Sequence, residues 1–391
     1  MSPCQHRSPV SCPGGIERFA LMARSARRLW QIGVMIWDVA VIGSGPAGSA
    51  VAIHCGNAGL RTLLVTLPRI RKGPAGPETL PAVARPLLAA LGIADLSTRF
   101  GLREQYSISS AWGSDSLTTR HSICNPSGAG WFVDRPAFDA ELARTAARSG
   151  DVTAMAARLT DVSWDQNHWV LRLARENSQT IEIRAAAVVD ATGRASAFAR
   201  RIGIRRIAFD RLVSVSVTAT ARDTAPREAI VEAADDGWWF SAFNHRGELS
   251  LSWYTDAFLF QKSDRSEAAW IRRLQNAPHS AARVESLPAQ TPECRMACTD
   301  RLEVLAGTGW LSIGDACVAC DPLGSNGLVR ALESANAASE VIVMDRTRDA
   351  KFLRSYSEFQ IFYLQRFLND RHSFYAMERR WPAADFWRRL G

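Results

Sequence analysis

Apolar and polar positions divide this chain into well-punctuated elements. Residues 38–42 form a short apolar run, an alanine-rich helical stretch follows to about Gly59, and residues 61–65 form a second apolar run. The predicted order is strand, tight turn, helix, strand. Further on, the run AAAVV predicts a buried strand ending at Asp190. GWLSIGD predicts another ending at Gly314 and Asp315, followed by a loop with Pro322, Gly324 and Gly327 and then a long helix. The stretch DGWWFSAFNHRGELSLSWYTD, residues 236–256, reads as a β-hairpin whose turn lies at 244–247, with His245 a solvated turn residue. Successive strand side chains point to opposite faces, so Trp238 and Trp239 cannot serve the same core. The last segment, residues 352–390, is aromatic and arginine-rich, with apolar residues at helical spacing.

At 391 residues the chain is long for one core, and two domains sharing a sheet-rich interface are expected. Its 47% hydrophobic and 22% charged residues are those of an ordinary globular protein. No run approaches the roughly 20 apolar residues of a membrane span. The formal charge of +8 does not point to nucleic acid: Lys72, Lys262 and Lys351 are the only lysines, and the arginines are scattered rather than clustered. Cys294, Cys298, Cys317 and Cys320 superficially resemble a zinc set, but the last two fall inside the loop after Asp315, and no metal is expected. Nothing implies a disulfide framework, so a cytoplasmic setting is expected. Residues 1–36, rich in Arg, Ser, Cys and Pro, read as a disordered extension or as sequence preceding a true start at Met35.

The strongest local signal is Gly43-x-Gly45-x-x-Gly48, with Pro46 and Ala47 inside it, placed between the first strand and the helix. That context makes it a dinucleotide fingerprint. Gly43 permits the tight turn, Gly45 lets the backbone approach a pyrophosphate, and Gly48 lets helix and strand pack closely. The pyrophosphate would sit on the helix N-terminus. Thr66 stands where an acidic residue usually holds the ribose; it can hydrogen-bond but carries no charge.

Asp190, Thr192, Gly193 and Arg194, then Gly314-Asp315 and the Pro322, Gly324, Gly327 loop, follow in an order that resembles the FAD-dependent monooxygenases of the glutathione-reductase fold. That group includes aromatic hydroxylases, flavin halogenases and geranylgeranyl reductases. The resemblance implies an α/β chain: a Rossmann-like FAD domain of glutathione-reductase type, an inserted β-sheet substrate domain and a C-terminal helical segment. The FAD domain is expected from residues 37–80, 131–211 and 300–345, the substrate domain from 81–130 and 212–299, and the helical segment from 346–391. Asp315 would bind the ribityl chain, and the following loop would pass under the flavin with a helix N-terminus near its pyrimidine oxygens. Arg135, opening the helix in residues 133–150, would reach the cofactor. The expected FAD set is thus Gly43, Gly45, Pro46, Ala47, Gly48, Thr66, Arg135, Asp190, Gly193, Gly314, Asp315, Pro322, Gly324 and Gly327.

Flavin halogenases carry a Trp-x-Trp-x-Ile-Pro motif and a lysine after a Gly-Glu…Pro segment. This chain has Gly237-Trp238-Trp239-Phe240-Ser241-Ala242, and Arg85 or Pro86 in the lysine's place. An arginine does not substitute chemically for that lysine. The segments GPETLPAVARPLLAALG, DGWWFSAF…SWYTD and FYAMERRWPAADFWRRL are similar to the LodB-like and QhpG-like flavoprotein monooxygenases of tryptophylquinone biogenesis. This implies hydroxylation of a tryptophan in a partner polypeptide by oxygen activated at reduced FAD. Glu78, Trp238, Trp239 and Phe240 are the candidate cavity residues, and no catalytic base is assigned. One departure is Gly324-Ser325-Asn326-Gly327 in place of Ser-Ser-Gln-Gly. The alternatives are a monooxygenase of a free or carrier-bound small aromatic, less so a halogenase or prenyl reductase, or a flavin-binding interaction protein without turnover. The electron donor is left open between NAD(P)H acting directly and a separate reductase.

Overall fold

A computed structural model describes residues 36–67, 78–93, 102–244, 247–287, 292–344 and 346–390. The chain begins with β1 (Ile36–Ile42), α1 (Pro46–Asn57) and β2 (Thr62–Thr66), followed by α2 (Arg135–Ala147) and β3 (Thr180–Asp190). Next come β4 (Leu212–Ala221), β5 (Ala229–Ala234), β6 (Gly237–Phe243), β7 (Leu249–Asp256) and α3 (Glu267–Leu274). It closes with β8 (Trp310–Ser312), α4 (Gly327–Val343), α5 (Ala350–Tyr375) and α6 (Asp385–Leu390).

β8, β3, β1, β2 and Val152–Ala156 lie side by side in that order as parallel neighbours. Residues on β1 divide between two cores. Val39 and Val41 pack with the helices α1, α2 and α4, while Ala40 and Ile42 meet Trp169, Phe198 and Trp310 on the opposite side. Burial on both faces explains why these strands read as continuous apolar runs. Val65 and Asp190 both stand opposite Ile42, and Ser312 stands opposite Asp190, so the strands end in one row. β1 has β2 on one side and β3 on the other, which makes this row a topological switch point, where α/β sheets bind ligands.

The second sheet is mainly antiparallel, in the order Val284–Ser286, β4, β7, β6, β5, Ser107–Ala111, Thr118–His121. Ser107–Ala111 joins β5 in parallel, so residues from either side of the Asp190 motif share one sheet. The expected hairpin is β6–β7, with Phe243 opposite Leu249 and Trp238 opposite Tyr254. His245, in its turn, lies outside the described residues, as do residues 1–35 and Lys72.

The C-terminal segment bridges the two sheets. Leu364 of α5 packs beneath the parallel sheet, while Tyr375, Phe386 and Trp387 pack on the second. Trp387 Nε1 donates to the Ala234 carbonyl at 2.9 Å, and Trp112 Nε1 donates to the Phe374 carbonyl at 2.9 Å. With Tyr356 in the core on the other face of the parallel sheet, the helical spacing seen in sequence serves three clusters at once.

Candidate active site

The β1–α1 turn is shaped by close approach. Gly43 has φ +108°, and a Cβ there would lie 2.5 Å from the Ala191 carbonyl oxygen. A Cβ at Gly48 would be driven into the carbonyl of Gly43 itself. Gly45 differs: nothing lies within 4 Å of where its Cβ would be. It precedes α1, whose first turn has no side-chain cap, and so leaves backbone donors facing open space. An open cradle beside uncapped donors fits a pyrophosphate.

Around this turn, the row of strand ends presents the other predicted residues. Thr66 ends β2 half-buried, its hydroxyl within 3.4 Å of the Met155 carbonyl. Gly193 has φ +62° with open space beside it. Gly314, at φ +54°, packs against Ala47 with 3.0 Å between its would-be Cβ and the alanine methyl. Asp315 is half exposed and 4.0 Å from the Arg194 guanidinium, so its carboxylate is available to a hydroxyl-bearing ligand. Pro322 opens a short 3-10 turn, and Gly324 and Gly327 are exposed at the start of α4, whose N-cap Asn326 makes no side-chain cap bond. Together these could receive the ribityl chain and the pyrimidine edge of a flavin.

Three predicted residues have other partners. Asp190 is fully buried and accepts from Thr192 N (3.1 Å), Thr192 Oγ1 (2.6 Å), Phe198 N (3.0 Å) and Ala199 N (2.9 Å). Burial pushes its pKa up against these donors. Its carboxylate therefore holds the Thr192–Gly193 turn in place and has no acceptor position left to offer a cofactor. Arg135 forks onto Asp139 at 3.0 and 3.1 Å and donates to Glu78 at 2.6 Å. Glu78 is thus neutralised at the rim beside α2, and any contact of Arg135 with a cofactor shares a guanidinium already paired twice.

The two tryptophans take opposite fates. Trp238 is 1% exposed, stacks on Tyr254 at 3.8 Å and 11°, and shares an apolar cluster with Phe240, Phe132, Leu212 and Leu323 of the Pro322–Gly324 turn. Trp239 lies on the other face, 0% exposed, edge-on to Trp270 of α3 at 5.0 Å. The expectation that Trp239 lines the cavity is corrected: strand alternation turns it away from the cofactor loop and α3 seals it in. Of the candidate cavity residues, Trp238 and Phe240 are the two that share a cluster with Leu323.

Residues not anticipated complete this region. Burial holds the Tyr254 phenol above its ordinary range, the negative charges of Glu78 and Asp321 adding to the effect. Pairing the two hairpin arms, which sets Tyr254 opposite Trp238, would have found it. Asp321, directly before Pro322, is buried and accepts from Leu323 N and Tyr375 Oη. Burial raises its pKa to about 6. Tyr375 and Arg371 of α5 and Asp210 before β4 are the charged or titratable groups that face it. A proton bound more tightly in the folded chain stabilises it at low pH, and that contribution is lost as pH rises from about 4 through about 6. Asp321→Asn should therefore gain about 3 kcal/mol relative to the wild type between pH 3.5 and 7. Denaturant unfolding of both chains across that range measures the difference.

Among the described residues, no three His, Cys, Asp or Glu are arranged to hold a metal ion, and no helix is long and apolar enough to cross a membrane. Cys294, Cys298, Cys317 and Cys320 are free thiols, and burial pushes Cys298 and Cys317 up to about 11.

Fold and crevice define a nucleotide-binding α/β protein with a Rossmann-like sheet. Residues 38–203 match the family model described as FAD dependent oxidoreductase. It is 24% identical over 366 residues to the putative FAD-dependent oxidoreductase LodB of Marinomonas mediterranea, covering 90% of this chain and 96% of that one. Among solved structures it is similar to the myxobacterial chondrochloren halogenase CndH (TM-score 0.77, 22% identity, 91% of this chain and 86% of the other). It is also similar to the peptidyl tryptophan dihydroxylase QhpG, essential for tryptophylquinone cofactor biogenesis (TM-score 0.72, 23% identity, 91% and 79%). At these identities the two likenesses show a shared fold.

Proposed function

We propose that this protein is an FAD-dependent monooxygenase that hydroxylates a tryptophan side chain of a partner polypeptide during formation of a tryptophylquinone cofactor. The observation that carries this reading is the aromatic face of Trp238, Phe240 and Tyr254 packed with Leu323 of the cofactor loop. A flat apolar face there suits an indole. The activity named for QhpG supports the choice of substrate, and the end-to-end similarity to LodB supports the FAD-dependent chemistry.

FAD, bound and reduced, supplies the oxygen activation. One atom of dioxygen enters the ring C–H bond and the other leaves as water, with two electrons and two protons from an external reductant. An indole has no acidic proton to activate it, so the chain's work is to orient the ring and exclude water. The apolar sheet face and the N-terminus of α4 are suited to those tasks. The lysine that halogenation requires has no counterpart at Arg85, whose guanidinium lies 4.2 Å over the Trp131 ring and donates to the Ala129 carbonyl at 3.1 Å.

The test is direct. FAD-loaded protein is reduced, exposed to oxygen with a tryptophan-bearing partner polypeptide, and the partner's intact mass recorded. A gain of one or two oxygen atoms mapping to a tryptophan is expected. An unchanged partner with hydrogen peroxide released would overturn the reading for that partner and favour a small aromatic substrate.

A further inference from the structure

A buried hydrogen-bonded chain runs from the hairpin through the C-terminal helix to the cofactor loop. Trp238 Nε1 donates to Tyr375 Oη at 3.0 Å, and Tyr375 Oη donates to Asp321 Oδ2 at 2.7 Å. The other carboxylate oxygen, Asp321 Oδ1, accepts Leu323 N–H at 2.8 Å. The backbone N–H of Asp321 donates to Thr299 Oγ1 at 3.2 Å, and Arg371, one turn before Tyr375 on α5, donates to that same hydroxyl at 3.1 Å. The loop's carboxylate and its backbone are therefore both tied, directly or through Thr299, to one helix. Trp238, Asp321 and Tyr375 are at most 3% exposed, so no water competes for these bonds.

We propose that α5 is a clamp on the cofactor loop, with Tyr375 the positioning residue that couples loop geometry to the buried indole of Trp238. The proposal rests on the reading of residues 321–327 as the flavin loop and not on the identity of the substrate. Tyr375 has one hydroxyl and makes both bonds with it, donating to the loop and accepting from the hairpin. A displacement of Trp238 by an arriving ring is transmitted to Asp321, and hence to Leu323 and the start of α4. Asp321 is held between a tyrosine O–H and a backbone N–H, so losing the first leaves a buried carboxylate half satisfied.

The experiment uses the full chain, wild type and Tyr375→Phe, with Phe386→Leu as a control. Phe386 packs against the Tyr375 ring, with centroids 6.3 Å apart, but takes part in none of the hydrogen bonds of the chain. Two quantities are read: the FAD dissociation constant by flavin fluorescence, and hydrogen exchange at residues 321–327. In Tyr375→Phe both are expected to rise about tenfold, with a shifted visible flavin spectrum, while Phe386→Leu lowers the melting temperature and leaves both near wild type. Unchanged exchange in Tyr375→Phe would overturn the clamp, as would faster exchange with unaltered FAD affinity. An equal loss of FAD affinity in Phe386→Leu would also overturn it, by assigning the effect to packing alone. None of these readouts depends on turnover, so a failure to hydroxylate a polypeptide is separable from a failure of the clamp.

Discussion

Replacing Gly48 with alanine is expected to cost about 3 kcal/mol of stability and to leave the purified chain without FAD, whereas Gly45→Ala is expected to fold and still lose the cofactor. The two positions lie three residues apart but meet different surroundings. A methyl at Gly48 collides with the Gly43 carbonyl and also reaches the Ala191 methyl at 3.0 Å, so β1 and α1 must separate. Forced overpacking against backbone lies at the costly end of core substitutions. At Gly45 the added methyl meets no protein atom within 4 Å, and φ −69° with ψ −176° is open to any residue. The exchange at a helix N-cap costs about 1 kcal/mol at most. That methyl instead enters the space where a pyrophosphate would approach the uncapped donors of α1. A hundredfold rise in the FAD dissociation constant corresponds to about 2.7 kcal/mol. Urea unfolding and flavin absorbance after purification separate the two variants. Wild-type FAD affinity in Gly45→Ala would mean that the cofactor does not use this turn.

The nucleotide turn was legible because its determinants are local. Gly48 meets the Gly43 carbonyl within the same turn, and the spacing encodes that approach, although the turn also packs against Ala191 far along the chain. The strand ends were legible for a related reason: a buried run stops where a polar or glycine residue follows, as at Asp190, although the run expected to end at Gly314-Asp315 stops at Ser312. What Asp190 does was not legible. Its partners, Phe198 N and Ala199 N, come 8 and 9 residues later, after a turn that folds back on the carboxylate. The hairpin showed the same division. Alternation separated Trp238 from Trp239, but the choice of face depends on Tyr375, 137 residues away, and on Trp270 of α3. Tyr375 carries no local signal, because a tyrosine on an amphipathic helix reads as core until the loop it meets is known.

Trp238→Ala and Trp239→Ala are expected to lose similar stability and to differ in function. Each side chain is buried within a cluster of rings, and truncating such a residue costs about 3–5 kcal/mol. Trp238→Ala removes the stacking partner of Tyr254 and the donor to Tyr375, and opens space on the face shared with Leu323. Water then reaches the reacting ring, so oxygen consumption should yield mainly hydrogen peroxide and little hydroxylated product. Trp239→Ala opens an equal space on the far face, against Trp253 and Trp270, where neither ring nor cofactor is expected. Its ratio of product to oxygen consumed should stay at the wild-type value at a temperature where both variants are folded. Trp239→Phe refines the comparison. The indole nitrogen of Trp239 is buried with no hydrogen-bond partner, so this exchange forfeits packing volume but no bond and should cost less than about 1.5 kcal/mol. Equal uncoupling in the two alanine variants would remove the distinction between the faces. Uncoupling confined to Trp239→Ala would transfer the substrate to the side that α3 covers.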